Sequence, residues 1–244
     1  MKHTKLFVFL SIFLFLFMLT NLYGQEKFIM GANLNLGFPQ GEFKENVEQI
    51  GLGATGYFGF IFPNSPIILG GSVSFIIYGS ETREEPWSET IPDVYVDVTT
   101  TNSIIMAHIF LRIQQTKGFF QPYIEGLIGL SYFTTDTRVT DQGDYEDIAS
   151  SNNLSDITFS YGFCTGLMIR VWEKTYEKDS DYYRPSDSRM KTIFIDIGAR
   201  YLKGGEAQYL KEGAIHIEDS DVKYDISKST TDIFIPYIGV AFQF

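Results

Sequence analysis

Phe120-Gln121-Pro122-Tyr123-Ile124-Glu125-Gly126-Leu127-Ile128-Gly129-Leu130-Ser131-Tyr132-Phe133 places Ile124, Ile128, Leu130 and Tyr132 at even positions, opposite Glu125, Gly129 and Ser131 at odd ones. Successive side chains of an extended chain point to opposite faces, so a period of two means a strand, whereas a helix would repeat near 3.6. One face of this strand is bulky and apolar, and the other is small or polar.

The same pattern recurs on both sides of this stretch. Toward the N-terminus it covers Phe28–Phe38, Gly51–Phe62, Ile67–Tyr78 and Asn102–Gln114; toward the C-terminus it covers Ile157–Trp172, Thr192–Leu202 and Asp232–Phe244. In Gly51–Phe62, for example, Leu52, Ala54, Gly56, Phe58, Phe60 and Phe62 oppose Gly51, Gly53, Thr55 and Gly59. The eight segments predict an all-β, eight-stranded, antiparallel up-and-down barrel that spans a membrane, since tilted strands of about 11 residues cover an apolar band about 25 Å tall. The connections alternate in length. Pro63–Pro66 and Gln115–Gly118 are short, while Gly79–Thr101 and Thr134–Asp156 are long. Short periplasmic turns and long external loops are the expectation, with both termini on the periplasmic side. Glu173–Lys191 breaks the rule: it should be a short turn, yet it is long and charged.

The placement of bulk decides between lipid and water. With the apolar face inside, the exterior would be rich in glycine and poor in charge, which suits a soluble lipocalin-like barrel badly. With the apolar face outside, small residues surround a narrow axis, and eight strands leave room for little more than side chains. Closure also pairs every backbone donor and acceptor, which hydrocarbon requires. Phe62, Tyr78, Tyr132, Trp172, Tyr201 and Phe244 lie near strand ends and are expected in interfacial aromatic girdles.

Met1-Lys2-His3-Thr4-Lys5 is a basic head, followed by the apolar run Leu6–Leu19 and a small residue at Gly24. This reads as a secretory signal peptide over 1–24, leaving a single barrel domain over 25–244. Removing Lys2 and Lys5 takes the net charge from −11 to −13, so phosphate-rich nucleic acid is an unfavourable partner. Cys164 is the only cysteine, and no intrachain disulfide is possible.

The chain resembles the small outer-membrane β-barrel family of OmpA/OmpX type, without a periplasmic domain. The carriers are the alternating segments, Gln121-Pro122-Tyr123-Ile124-Glu125-Gly126, and the ending Pro236-Tyr237-Ile238-Gly239-Val240-Ala241-Phe242-Gln243-Phe244. It is also similar to the PorT-like branch, associated with protein secretion and gliding. The resemblance implies residence in the outer membrane, contact with its lipid, and an assembly signal at Val240, Phe242 and Phe244 read by the barrel-assembly machinery.

Several residues invite chemical readings. Gly51-Leu52-Gly53-Ala54-Thr55-Gly56 spells a dinucleotide-binding pattern, but a strand follows where the motif needs a helix, so no cofactor is expected. His108, Arg112, Glu125, Arg170, Asp196 and Arg200 share inward parity. Buried charges must pair, so they predict a lumen charge network, with Arg112–Glu125 the nearest pair; a gated pore is the functional alternative. A Ser–His hydrolase lacks a local signature here. Cys164 reads as a small lumen filler. Glu81, Glu84, Glu85, Glu89, Asp93 and Asp97 crowd one external loop, and Asp136, Asp141, Asp144, Glu146, Asp147 and Asp156 another. No metal-loop spacing accompanies them, so a solvated surface is expected and no metal is assigned. The functional expectation is a non-enzymatic barrel whose acidic external loops serve surface contact or envelope integrity, with envelope proteins as possible partners. A narrow pore or a part of a secretion machinery are the alternatives.

Overall fold

The computed structural model describes residues 27–88, 91–141, 147–173, 192–218 and 221–244. The expected signal segment 1–24 and residues 174–191 of the long connection lie outside the described residues.

Eight strands close into one antiparallel ring: β1 (Lys27–Pro39), β2 (Gly51–Ile61), β3 (Ile67–Ser88), β4 (Ile91–Gln114), β5 (Phe120–Asp141), β6 (Asp147–Glu173), β7 (Thr192–Gly204) and β12 (Ile233–Gln243). Each pairs with its neighbour in the chain, and β1 closes the ring on β12 from Ile29↔Gln243 to Pro39↔Ile233. The bulky face points out. Leu34 is 67% exposed, Leu52 64% and Phe163 61%, whereas Ile29, Met168 and Asp196 inside are at 0%. Among the described residues no helix is long and apolar enough to cross a membrane.

Three expectations need correction. First, the long acidic connections are not loops. β3 and β4 stay paired from Gly79↔Asn102 to Ser88↔Ile91, and β4, β5 and β6 continue through Thr101↔Asp136↔Asn152 and Thr99↔Arg138↔Ser150. β2 leaves this sheet at Leu52↔Ile77, and β7 joins β6 only from Gly204↔Ser160. The middle four strands therefore rise beyond the ring as a wall. Threonine holds it: Thr82 meets Thr99 at 2.9 Å, Thr100 meets Thr137 at 3.1 Å, and Asn153 donates to Thr137 at 2.5 Å. β-branched threonine suits a strand whether or not lipid covers it.

Second, the axis is not lined by small residues alone. Tyr57, Phe110, Tyr123, Met168, Phe194 and Tyr237 fill it, all buried. Third, Tyr78 is not in a girdle. It keeps the inward parity of Ser72, Ser74 and Ile76 and is 3% exposed, while Phe62, Tyr132 and Trp172 stay exposed on the outer surface.

The connection between β7 and β12 is also structured. It holds β8 (Glu206–Tyr209) paired with β11 (Ser227–Thr230), and β9 (Ile215–Glu218) paired with β10 (Asp221–Tyr224). A short helix α1 (Gly41–Asn46) follows β1.

Candidate functional site

Inside the ring, side chains meet by rungs. Arg112 on β4 stands opposite Glu125 on β5, Glu125 opposite Cys164 on β6, and Cys164 opposite Arg200 on β7. Arg112 Nε and Nη2 both lie 2.5 Å from Glu125 Oε1, each side chain 1% exposed. The same guanidinium donates to Gln114 Oε1 at 3.2 Å and lies 4.1 Å from the ring centre of Tyr123 and 5.0 Å from that of Tyr57. Gln114 in turn donates to Gln121 at 3.0 Å.

A second centre forms on Asp196. Tyr57 from β2 donates to Oδ2 at 2.9 Å, Tyr123 from β5 donates to Oδ1 at 2.6 Å, and Asn33 from β1 reaches Oδ2 at 3.5 Å. These ties cross the lumen. Tyr237 lies against the hydroxyl of Tyr123 and 3.0 Å from Cys164 Sγ, and the Arg200 guanidinium sits 5.1 Å from its ring centre. Higher up, His108 Nε2 meets Ser160 Oγ at 2.8 Å, and Ser131 meets Ser160 at 2.9 Å. Asn35, Thr55 and Ser74 form a further chain with 2.6 Å links.

The lumen is thus polar, charged and filled, while the outside is apolar. A water-soluble barrel has the reverse arrangement. The fold is that of a small outer-membrane barrel. Hydrocarbon outside imposes no cost on Leu34 or Phe163, and the buried charges inside hold one another.

The end of the barrel from which the wall rises is capped. Phe43 of α1 is fully buried in a ring of Tyr78, Phe133 and Tyr209, with centroids 5.8, 5.8 and 5.1 Å away, all edge-on. Such edge contacts suit aromatic quadrupoles. Polar latches hold the cap. Glu42 accepts from Thr230 N at 3.1 Å and from its hydroxyl at 2.9 Å, which hold the Glu42 carboxyl below the usual carboxylate range. Tyr78 donates to the Leu210 carbonyl at 3.2 Å, Gly213 N to Glu81 at 3.0 Å, and Arg83 to the Ile215 carbonyl at 2.7 Å. Gln49 donates to Glu212. Leu210, Ala214 and Ile215 pack with Leu154, so the capping connection leans on the inner side of the wall.

Of the six residues expected in a lumen charge network, the structure brings His108, Arg112, Glu125, Asp196 and Arg200 into the barrel. Arg170 is elsewhere. The register shifts between Arg170 and Trp172, and Arg170 pairs with Glu173 at 2.6 Å at the strand end, partly exposed. The tyrosines Tyr57, Tyr123 and Tyr237 carry much of the network, yet sequence reasoning left them out. Their odd positions on strands with inward odd parity were the available signal. Val240 is exposed on the outer face, and Phe244 stacks on Phe28 at 4.5 Å. Gly51–Gly56 lies within β2. Among the described residues, no group of three or more His, Cys, Asp or Glu could hold a metal.

No family profile matches the chain, and no curated protein matches it. Solved structures do. A major outer membrane protein from Thermus thermophilus shares 10% identity over 89% of this chain and 99% of that one, with a TM-score of 0.42. Neisserial surface protein A shares 10% over 88% and 95%, with a TM-score of 0.37. Ail, the attachment invasion locus protein of Yersinia pestis, solved with the heparin analogue sucrose octasulfate, shares 12% over 90% and 97%, with a TM-score of 0.32.

Proposed function

We propose that this outer-membrane barrel conducts nothing and catalyses nothing, and that it acts by holding its four-stranded wall outside the cell for surface contact or envelope integrity. The single observation that carries this reading is the filled axis. Arg112, Tyr123, Asp196 and Tyr237 occupy the middle, and Phe43 occupies the mouth. Eight strands leave space for side chains and little else. The lumen charges then serve as ties between strands. His108 and Ser160 stand within hydrogen-bond reach but at 4% and 1% exposure, so neither lipid nor water-borne substrate meets them.

In this reading the chain is exported by its N-terminal segment, Val240, Phe242 and Phe244 present the assembly signal, and envelope proteins are the partners of the wall. Planar-bilayer recording of the purified, refolded barrel tests the sealed axis. The expected result is no stepwise conductance; steady unitary steps from the wild-type chain refute the reading and favour the narrow pore. Membership in a secretion machinery predicts stable co-purification with other envelope proteins from native membranes.

A further inference from the structure

We infer that a notch on the outer surface of β6 and β7, bounded by the end of β11 and by Asp232 just before β12, at the foot of the wall, binds the phosphoethanolamine headgroup of a membrane phospholipid. The notch has a volume of about 420 Å³ and is lined by Phe159, Tyr161, Lys203, Gly204, Gly205, Thr230 and Asp232.

Its height on the barrel is the first argument. Below it the outward residues are apolar: Phe163, Ile197, Phe234 and Ile238, all exposed. Above it on β6, past Ile157, the outward residues are Ser155, Asn152 and Ser150. The notch therefore sits where hydrocarbon gives way to headgroups, the level that aromatic residues favour. Phe159 and Tyr161 are about half exposed there, their ring centres 5.9 Å apart.

Its charges are the second argument. Tyr161 stands opposite Lys203 in the β6–β7 ladder, and Ile233↔Leu202 sets Asp232 on the next rung, beside Lys203. Adjacent as they are, the two form no ion pair, and Lys203 has none with any described residue. Asp232 is turned away. Its Oδ1 accepts from Gly204 N at 3.2 Å and its Oδ2 from Tyr201 at 3.2 Å. Each oxygen keeps a lone pair for a further donor. One cavity thus offers a cation, an anion and an apolar wall, without the two charges cancelling each other. A phosphate beside Lys203, an ammonium with N–H donors on Asp232 and an acyl chain along Phe159 and Tyr161 satisfy all three. Gly204 and Gly205 contribute bare backbone to its lining, for a β-carbon on either would strike Thr231 or Thr158.

The remaining charges nearby do not compete. Glu206 is held by Lys228 at 2.8 Å, Asp156 accepts from Gln208 N at 2.8 Å, and Glu42 is taken by Thr230.

The test uses the refolded full-length barrel in detergent, with native mass spectrometry reading bound lipid. Phosphatidylethanolamine, phosphatidylcholine and phosphatidylglycerol of equal acyl length are titrated separately. The expected result is at least fivefold tighter binding of phosphatidylethanolamine than of the other two. Choline carries the phosphate but no N–H donor, and glycerol carries no cation. Lys203→Met should weaken phosphatidylethanolamine at least fivefold. Asp232→Asn should remove its advantage over phosphatidylcholine. Soluble phosphoethanolamine should bind at least tenfold more weakly than the lipid; equal affinity would assign the notch to a soluble ligand and overturn the lipid. Equal binding of the three lipids, preference for phosphatidylglycerol, or an unchanged Lys203→Met also overturns it. The inference rests on lipid facing the barrel exterior. That premise is checked apart, by the heat-dependent gel mobility of the wild type and both variants, which also reports that the variants fold.

Discussion

Replacing Glu125 by alanine tests whether the lumen charges hold the barrel together. Arg112 would keep its position, 1% exposed, but lose the carboxylate it contacts. Removing one member of a buried ion pair costs about 3–5 kcal/mol, because the partner is left charged and unpaired. Here Arg112 retains Gln114 at 3.2 Å and the rings of Tyr123 and Tyr57 at 4.1 and 5.0 Å, and cations gain from desolvated aromatic faces. The expected loss is therefore at the lower end, about 3 kcal/mol, or roughly two orders of magnitude in the folding equilibrium. Arg112→Met should cost more, about 4–5 kcal/mol, since Glu125 Oε2 already has no hydrogen-bond partner and the buried carboxylate would lose the guanidinium it contacts. The double variant Arg112→Met/Glu125→Leu removes both charges, and such replacements are often neutral. It should return to within about 1 kcal/mol of wild type. Equilibrium urea unfolding in detergent micelles at pH 7 measures all three, with a displaced midpoint at constant slope reporting stability. A Glu125→Ala loss below about 1 kcal/mol, or a double variant as unstable as the two singles combined, would refute the reasoning.

The cap makes two further predictions. Phe43→Ala empties the aromatic ring of Tyr78, Phe133 and Tyr209 at a cost of about 3–5 kcal/mol, so proteolytic cutting within 205–232 should speed up at least tenfold while heat-dependent mobility stays normal; an unchanged cutting rate counts against a cap held by Phe43. The Glu42–Thr230 latch involves a depressed carboxyl, so its contribution is complete above the unfolded glutamate range near ~4.3 and is lost only as pH falls through the lower folded value. The Thr230 amide resonance, followed by NMR in micelles, should titrate with a midpoint below that range, and a midpoint at or above it would contradict the latch.

The ring was legible in the sequence because lipid enforces alternation. The lipid-facing positions, from Leu34 through Ile109, Ile128 and Phe163 to Val240, are mostly apolar, and period two marks that demand. Where strands leave the lipid the demand ends. Thr99-Thr100-Thr101 and Thr134-Thr135 have no apolar face, so the wall reads as loops although the backbone pairs throughout. The β-branched threonines were the signal that remained. Parity also located five of the six charges inside the barrel; Arg170 shares the inward parity, opposite Phe194, but stands at the strand end, where it pairs with Glu173. Tyr78 keeps the inward count of Ser74 and Ile76, so parity pointed it inside and only its place near a strand end suggested a girdle.

Glycines hide the filled lumen from a reading of residue types. Taken strand by strand, Gly31, Gly166 and Gly198 look like gaps along an open axis. Taken by register, each stands opposite a tyrosine on the neighbouring strand: Gly31↔Tyr57, Gly166↔Tyr123 and Gly198↔Tyr237. A β-carbon at Gly31 would lie 2.5 Å from Tyr57 Cζ, one at Gly166 2.4 Å from Tyr123 Cζ, and one at Gly198 2.5 Å from the Tyr237 hydroxyl. The rings lie over the glycines, as aromatic side chains do when they cover an exposed backbone in a curved sheet. That posture carries the Tyr57 and Tyr123 hydroxyls across to Asp196 and the Tyr237 hydroxyl to Cys164. Glycine inside this barrel is where the neighbour's ring lies, so the smallest residues of the lumen are the ones that let it be filled.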